Sequence, residues 1–171
     1  PPLLPICAEH SPQLELAQGA AAPSLAELRL HQSTVWLWNR PIYDDLAGGH
    51  LRIEMRALPA GPTAVDMVAN AALLIGLAEG IRPRINELLP ALPFNIAEYN
   101  FYRAAQHGLD ARLIWPGSGQ PCYREGSVSD ILQQMLPIAR DGLAAIGVSS
   151  AESDRYLGII EQRLQRGRNG A

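Results

Sequence analysis

The chain has 171 residues, 47% of them hydrophobic, and a formal net charge of −3. That is enough for one domain with a core of its own, and the near-neutral balance points to neither nucleic acid nor an anionic membrane as a partner. All 14 basic side chains are arginine, which excludes within this chain a Schiff-base, pyridoxal-phosphate or Walker-type lysine and leaves arginine, backbone amides or metal to grip a phosphate.

Residues 1–23 hold many of the early prolines, Gly19 and an alanine run without sustained periodicity, so an irregular leading segment is expected, with one short extended piece at Leu3 to Cys7. Cys7 and Cys122 stand far apart in dissimilar surroundings, which indicates neither a metal cluster nor a disulfide framework and makes a reducing cytoplasm the default location. No apolar run reaches the length of a membrane span without interruption, and no basic stretch followed by an apolar one opens the chain. With Pro1 first and Arg166-Gly167-Arg168-Asn169-Gly170-Ala171 last, the chain is expected to be a piece of a longer protein. From residue 24 to 171 a single domain is expected.

Ser24 caps a predicted short helix, Leu25 to His31, with Glu27 in the reach-back position. Ser33 to Pro41 then alternates, with Trp36, Trp38 and Arg40 on one side and Val35, Leu37 and Asn39 on the other. The two Trp either line a pocket or fill a core. After a predicted loop, Ile42 to Gly49, the alternation becomes strict: His50, Arg52, Glu54 and Arg56 face one way, and Leu51, Ile53, Met55 and Ala57 the other. Period two is the mark of a half-buried strand, so the two stretches predict a β-hairpin with one charged and one apolar face. A carboxylate between cations is either a surface ion-pair ladder worth little or the floor of a site for phosphate and metal.

Pro59-Ala60-Gly61-Pro62 breaks the strand, and Thr63 with Asp66 opens a strongly apolar helix to about Gly80, expected to be central and buried. Asp66 and Asn70, a turn apart, either stitch that helix to its neighbours or reach a ligand, with stitching favoured. A short helix over Ile85 to Leu89 follows, then one over Phe94 to Gln106 ending at His107-Gly108, where His107 reads as a surface terminus. Ala111 to Trp115 is expected to be extended and Pro116 to Gly126 a turn-rich loop. Ser127 or Ser129 caps a helix to about Ile146, kinked or restarted at Pro137, and Ser149 with Glu152 caps a last one to about Arg166. Their apolar stripes predict two helices packed on the central one.

Gly-rich phosphate loops, zinc spacings and a nucleophile elbow are absent from the sequence. What remains is Glu54 placed to hold Mg²⁺ with Arg56 beside it to neutralise a phosphoryl group, although Mg²⁺ usually needs more than one carboxylate. The run from His50 to Arg56, the preceding Trp36-Leu37-Trp38-Asn39-Arg40-Pro41 and the later Asn100-Phe101-Tyr102-Arg103-Ala104-Ala105-Gln106-His107-Gly108-Leu109-Asp110 together resemble the C-terminal half of the type 2 glutamate–cysteine ligase family. The resemblance runs from about Ser24 to near the C-terminus. It implies an α+β fold, mostly helical, whose hairpin belongs to the antiparallel sheet of a glutamine-synthetase-like catalytic fold.

The implied chemistry uses ATP and Mg²⁺. The γ-carboxylate of glutamate or a related acid is phosphorylated, and an amine such as cysteine displaces phosphate to form a γ-glutamyl amide, a step of glutathione biosynthesis. The resemblance makes Glu54 the metal ligand and Arg56 the catalytic contact to the transferring phosphoryl group, with Arg52 and His50 beside it at the nucleotide. It also makes Arg40, Asn100 and Arg103 substrate-binding residues. The family's other metal carboxylates lie N-terminal to this region, so the chain alone is expected to be inactive without the N-terminal half of the same protein; a homo-oligomer is compatible with this. The alternatives are a non-catalytic helical interaction module that docks through the hairpin edge, and a ligase relative that has lost activity.

Overall fold

The computed structural model describes residues 25, 28–30, 39–58, 60–117 and 123–169. The chain divides at the Pro59-Ala60-Gly61-Pro62 breaker into two compact units, one ending at Pro59 and one starting at Ala60.

In the first unit, residues 28–30 are helical. They are followed by an antiparallel hairpin of β1 (Asn39–Asp44) and β2 (His50–Met55). A 3₁₀ turn over Leu46–Gly48 joins them, and Gly48 and Gly49 take φ of 88° and 82°, values that side chains with a Cβ rarely adopt. The strand thus extends to Asp44, three residues beyond the expected end at Pro41, and Ile42-Tyr43-Asp44 belong to the ladder instead of the loop. Trp36 and Trp38 lie outside the described residues. The expected half-burial of β2 is corrected: Leu51, Ile53 and Met55 are 76%, 58% and 43% exposed. Among the described residues no second layer covers the two strands.

The second unit is mostly helical. Helix α1 (Ala64–Ile81) is capped by Thr63, whose hydroxyl accepts the Asp66 N–H at 3.2 Å. A 3₁₀ turn at Arg82–Arg84 leads to α2 (Ile85–Ala91), then α3 (Phe94–His107). Helices α4 (Val128–Ala145) and α5 (Ser150–Arg166) start at Ser127 and Ser149, whose side chains accept the N–H groups of Asp130 and Glu152. Pro137 is accommodated inside one continuous α4. The core is built from Ala69 of α1, Leu136, Ala139 and Leu143 of α4, and Leu157, Ile160 and Leu164 of α5. This is the predicted arrangement of two helices on a third. Contact between α1 and α4 is close because both lack side chains where they cross. A Cβ on Gly76 would meet the Ala139 backbone, one on Gly80 the Ile138 backbone, and one on Gly142 the backbones of Gly76 and Gly80.

Helix α1 is less buried than expected. Only Ala69 and Gly76 are buried, while Val65, Met67, Val68 and Ile75 are 42–47% exposed. It is apolar on every side, but its neighbours cover one. By length and composition, Ala64–Ala91 is apolar enough to cross a membrane, a stretch the sequence reading discounted as interrupted.

A second antiparallel hairpin, β3 (Arg112–Pro116) and β4 (Tyr123–Ser127), pairs Ile114 with Glu125. The sequence placed Tyr123 to Gly126 in a loop. Tyr-Arg-Glu-Gly-Ser shows no apolar alternation, and its extension comes from pairing with β3. The result is a mostly helical α+β chain with two small hairpins.

Candidate functional site

The register of the first hairpin collects charge on one side. Arg40 stands opposite Glu54, Ile42 opposite Arg52, and Asp44 opposite His50. Because side chains alternate along a strand, these six share a face. Arg40 Nε lies 2.8 Å from Glu54 Oε2. Arg56 approaches the same oxygen with Nε and Nη2, each at 2.9 Å. The Arg56 hydrogen bond, seconded by the charges of Arg40 and Arg56, holds the Glu54 carboxyl below the usual glutamate range despite some desolvation. Glu54 is therefore a carboxylate at neutral pH, fixed between two cations.

Further along the ladder, Arg52 Nη1 donates to Asp44 Oδ2 at 3.2 Å and lies 2.8 Å from His50 Nε2. Asp44 Oδ1 also accepts the Leu46 N–H at 3.1 Å. That backbone bond, then Arg52, lowers the Asp44 carboxyl. Arg29, from the helical residues 28–30, donates to both carboxylate oxygens of Asp45 at 3.0 and 3.1 Å.

Between these groups is a cavity of about 360 Å³ lined by Arg29, Leu30, Arg40, Ile42, Tyr43, Asp44 and Arg52. Arg40 and Arg52 line it together, whereas Glu54 and Arg56 are not part of its lining. Tyr43 and Asp44 fall outside a strand that ends at Pro41, and Arg29 comes from the helical residues 28–30, where the local sequence gives no sign of a site. Continuing the parity of Arg40 through Ile42 would have found Asp44.

Asn100 and Arg103 sit in the second unit. Asn100, buried on α3, donates Nδ2–H to the Ile114 carbonyl at 2.7 Å and accepts the Ile114 N–H on Oδ1 at 2.8 Å. Its amide thus serves as a surrogate strand neighbour that ties β3 to α3. Arg103 Nη1 lies 3.2 Å from His107 Nε2. Asp66 and Asn70 stitch, as favoured: Arg163 of α5 donates to Asp66 Oδ1 at 2.6 Å and to Asn70 Oδ1 at 2.7 Å.

A Mg²⁺ site is not assembled by the described residues. Glu54 Oε2 is shared by two guanidiniums, and no group of three His, Cys, Asp or Glu gathers to hold a metal among the described residues. Mg²⁺ asks for near-octahedral oxygen coordination, and Glu54 supplies one carboxylate. Guanidiniums held on strands instead suit oxyanions such as carboxylate and phosphate.

Fold and site together define an α+β chain with an arginine–carboxylate cluster on a two-stranded ladder. The chain is similar to a protein of Frankia casuarinae named "Putative glutamate–cysteine ligase 2-1", 30% identical over 104 residues that make up 60% of this chain and 26% of that protein. It is also similar to "Putative glutamate–cysteine ligase 2" of Trichormus variabilis, 28% identical over 120 residues, 67% of this chain and 29% of that one. The chain thus spans little more than a quarter of the length of the curated relatives it matches. No family model and no solved structure matches it. The similarity is weak and partial, and it indicates a ligase-like relationship.

Proposed function

We propose that this chain is part of an ATP-dependent carboxylate–amine ligase that joins an amine such as cysteine to the γ-carboxylate of glutamate through an acyl phosphate. The observation that carries the reading is the Arg40–Glu54–Arg56 cluster, with Glu54 Oε2 held at 2.8–2.9 Å by both arginines. Phosphoryl transfer depends on positioning and on neutralising charge as it develops. In this reading Glu54 fixes Arg56, and Arg56 carries the positive charge to the phosphoryl group. Mg²⁺ bound to ATP would supply Lewis-acid polarisation, and Glu54 would be one of its protein ligands beside others outside this chain.

The test is Glu54→Gln in the intact protein that carries this chain, followed by ADP release and amide formation. Loss of turnover at saturating Mg²⁺ supports the reading, and unchanged turnover removes Glu54 from the site. A second reading, a non-catalytic docking module, is favoured by the bare apolar side of β2 at Leu51 and Ile53. A thermal shift with Mg·ATP on the intact protein separates them, because only the ligase responds.

A further inference from the structure

We infer that the outer side of α1 is a docking face for another layer of the same polypeptide, supplied by the part of the intact protein that these 171 residues do not span. The inference goes beyond the ligase reading and uses none of its chemistry. It takes from the ligase-named relatives only their length.

Helix α1 has two unlike sides. On the inner one Ala69 and Gly76 are buried, Ala72, Leu73 and Leu77 pack against the core, and the bare Cα positions of Gly76 and Gly80 admit the α4 backbone. On the outer one Ala64, Val68, Ala71, Ile75 and Ala78 are all exposed. Their alternating spacing of four and three residues sets them in one stripe along the helix, and Met67 beside it is exposed as well. From Met67 to Ala78 no side chain is charged, and the amide of Asn70 is taken by Arg163 of α5 at 2.7 Å. The outer side therefore offers water no hydrogen bond from a side chain. A helix that is apolar all round belongs in an interior, and the described residues cover one side of this one.

The cover is protein and not lipid. The Asp66–Arg163 pair, at 2.6 Å, fastens α1 to α5, and α5 also carries Asp154, Arg155, Glu161 and Arg166. A bilayer that took in α1 would have to take in those charges with it, a costly transfer. Nor does α1 have the basic polar side of a helix that lies on a membrane surface, because its inner side is made of alanine, glycine and leucine.

The cover is also tethered. The stripe of this 18-residue helix is about 27 Å long and 10 Å wide, well short of the roughly 800 Å² a side that a stable interface between separate chains takes. Free association must in addition offset lost translational and rotational freedom. A layer on the same polypeptide is held at high effective concentration, so a small apolar strip is enough. The chain spans 26% and 29% of the length of the two relatives, and a protein built on their scale has ample polypeptide to supply that layer. Its contacting side is aliphatic and uncharged, because a charge set against Ala71 or Ile75 would lose its water and gain no partner.

The experiment is maleimide labelling of the intact protein carrying Ala71→Cys or Ile75→Cys, with the labelled peptide followed by mass spectrometry. Both thiols should react about 100-fold or more slower in the native protein than in urea, without lipid and independently of protein concentration. Labelling as fast in the native state as in urea overturns the inference, since the side is then bare. Protection that disappears on dilution overturns it in favour of a second copy. Protection that needs vesicles of phosphatidylcholine and phosphatidylglycerol overturns it in favour of a membrane. Ala71→Glu gives a second readout: the urea midpoint of the intact protein should fall, and an unchanged midpoint overturns the inference. The ligase reading fails separately, through absent ATP-dependent amide formation, and slow labelling supports the docking face in that event as well.

Discussion

Arg40 and Glu54 face each other across the antiparallel ladder, with Arg40 Nε 2.8 Å from Glu54 Oε2, and Arg56, just past the end of β2, closes on the same oxygen. Two guanidiniums converging on one carboxylate oxygen fix that carboxylate in place. The pair also makes Arg56 depend on Glu54 for its position.

Arg56→Gln in the intact protein should therefore lower kcat by roughly 10²-fold or more, the usual cost of deleting one preorganised charge-stabilising donor, with a much smaller change in the KM for the amino acid. Steady-state kinetics with both substrates varied would check it. An equal rise in KM with kcat preserved would assign Arg56 to ground-state binding instead.

Two glycine substitutions should move stability in opposite directions. Gly142→Ala drives a methyl into the backbones of Gly76 and Gly80, and overpacking of that kind costs about 1–3 kcal/mol. Gly158→Ala lies in α5 with nothing within 4 Å of the added Cβ, so it should stabilise by roughly 0.5–1 kcal/mol through helix propensity. Urea denaturation of the two variants, read for midpoint shifts of opposite sign, is the measurement.

Asn100→Ala should destabilise the second unit, because it strips the Ile114 N–H and carbonyl of their side-chain partners at 2.8 and 2.7 Å. Leaving a partly buried polar group unmade costs about 1–3 kcal/mol. Hydrogen exchange at the Ile114 amide should accelerate along with the drop in denaturation midpoint. Loss of substrate affinity at unchanged stability would instead make Asn100 a binding residue.

The Asp66–Arg163 pair gives a pH dependence of definite sign. The Thr63 hydroxyl first, then Arg163, hold the Asp66 carboxyl below the usual aspartate value. A lowered folded-state pKa means stability that is fully present above the unfolded value of about 3.9 and is lost as pH falls through the folded one. The thermal midpoint of the unmutated chain should exceed that of Asp66→Asn at neutral pH, with the gap beginning to close near pH 4 and vanishing in stronger acid. A gap constant from neutral to strongly acidic pH would show that the ion pair contributes nothing.

Much of this is legible in the amino-acid sequence. Strict alternation over His50 to Arg56 places His50, Arg52 and Glu54 on one face because strand side chains have a period of two, whatever surrounds them. Thr63, Ser127 and Ser149 announce their helices by the same local logic, since a cap needs only its own N–H three residues on. The strand Tyr123–Ser127 gave no such signal, because β3 imposes its extension across a connection the local pattern does not describe.

What the residues by themselves determined, then, is which side chains share a face and where helices begin, since both follow from backbone geometry within one turn or one strand. Which face is covered, and by what, was decided in three dimensions. Arg163 reaches Asp66 across 97 positions, Asn100 reaches Ile114 across 14, and Arg29 reaches Asp45 across 16 to complete the cavity rim. The apolar side of β2 shows the same division: alternation makes Leu51 and Ile53 neighbours, only the packing of another layer buries such a face, and both are exposed here.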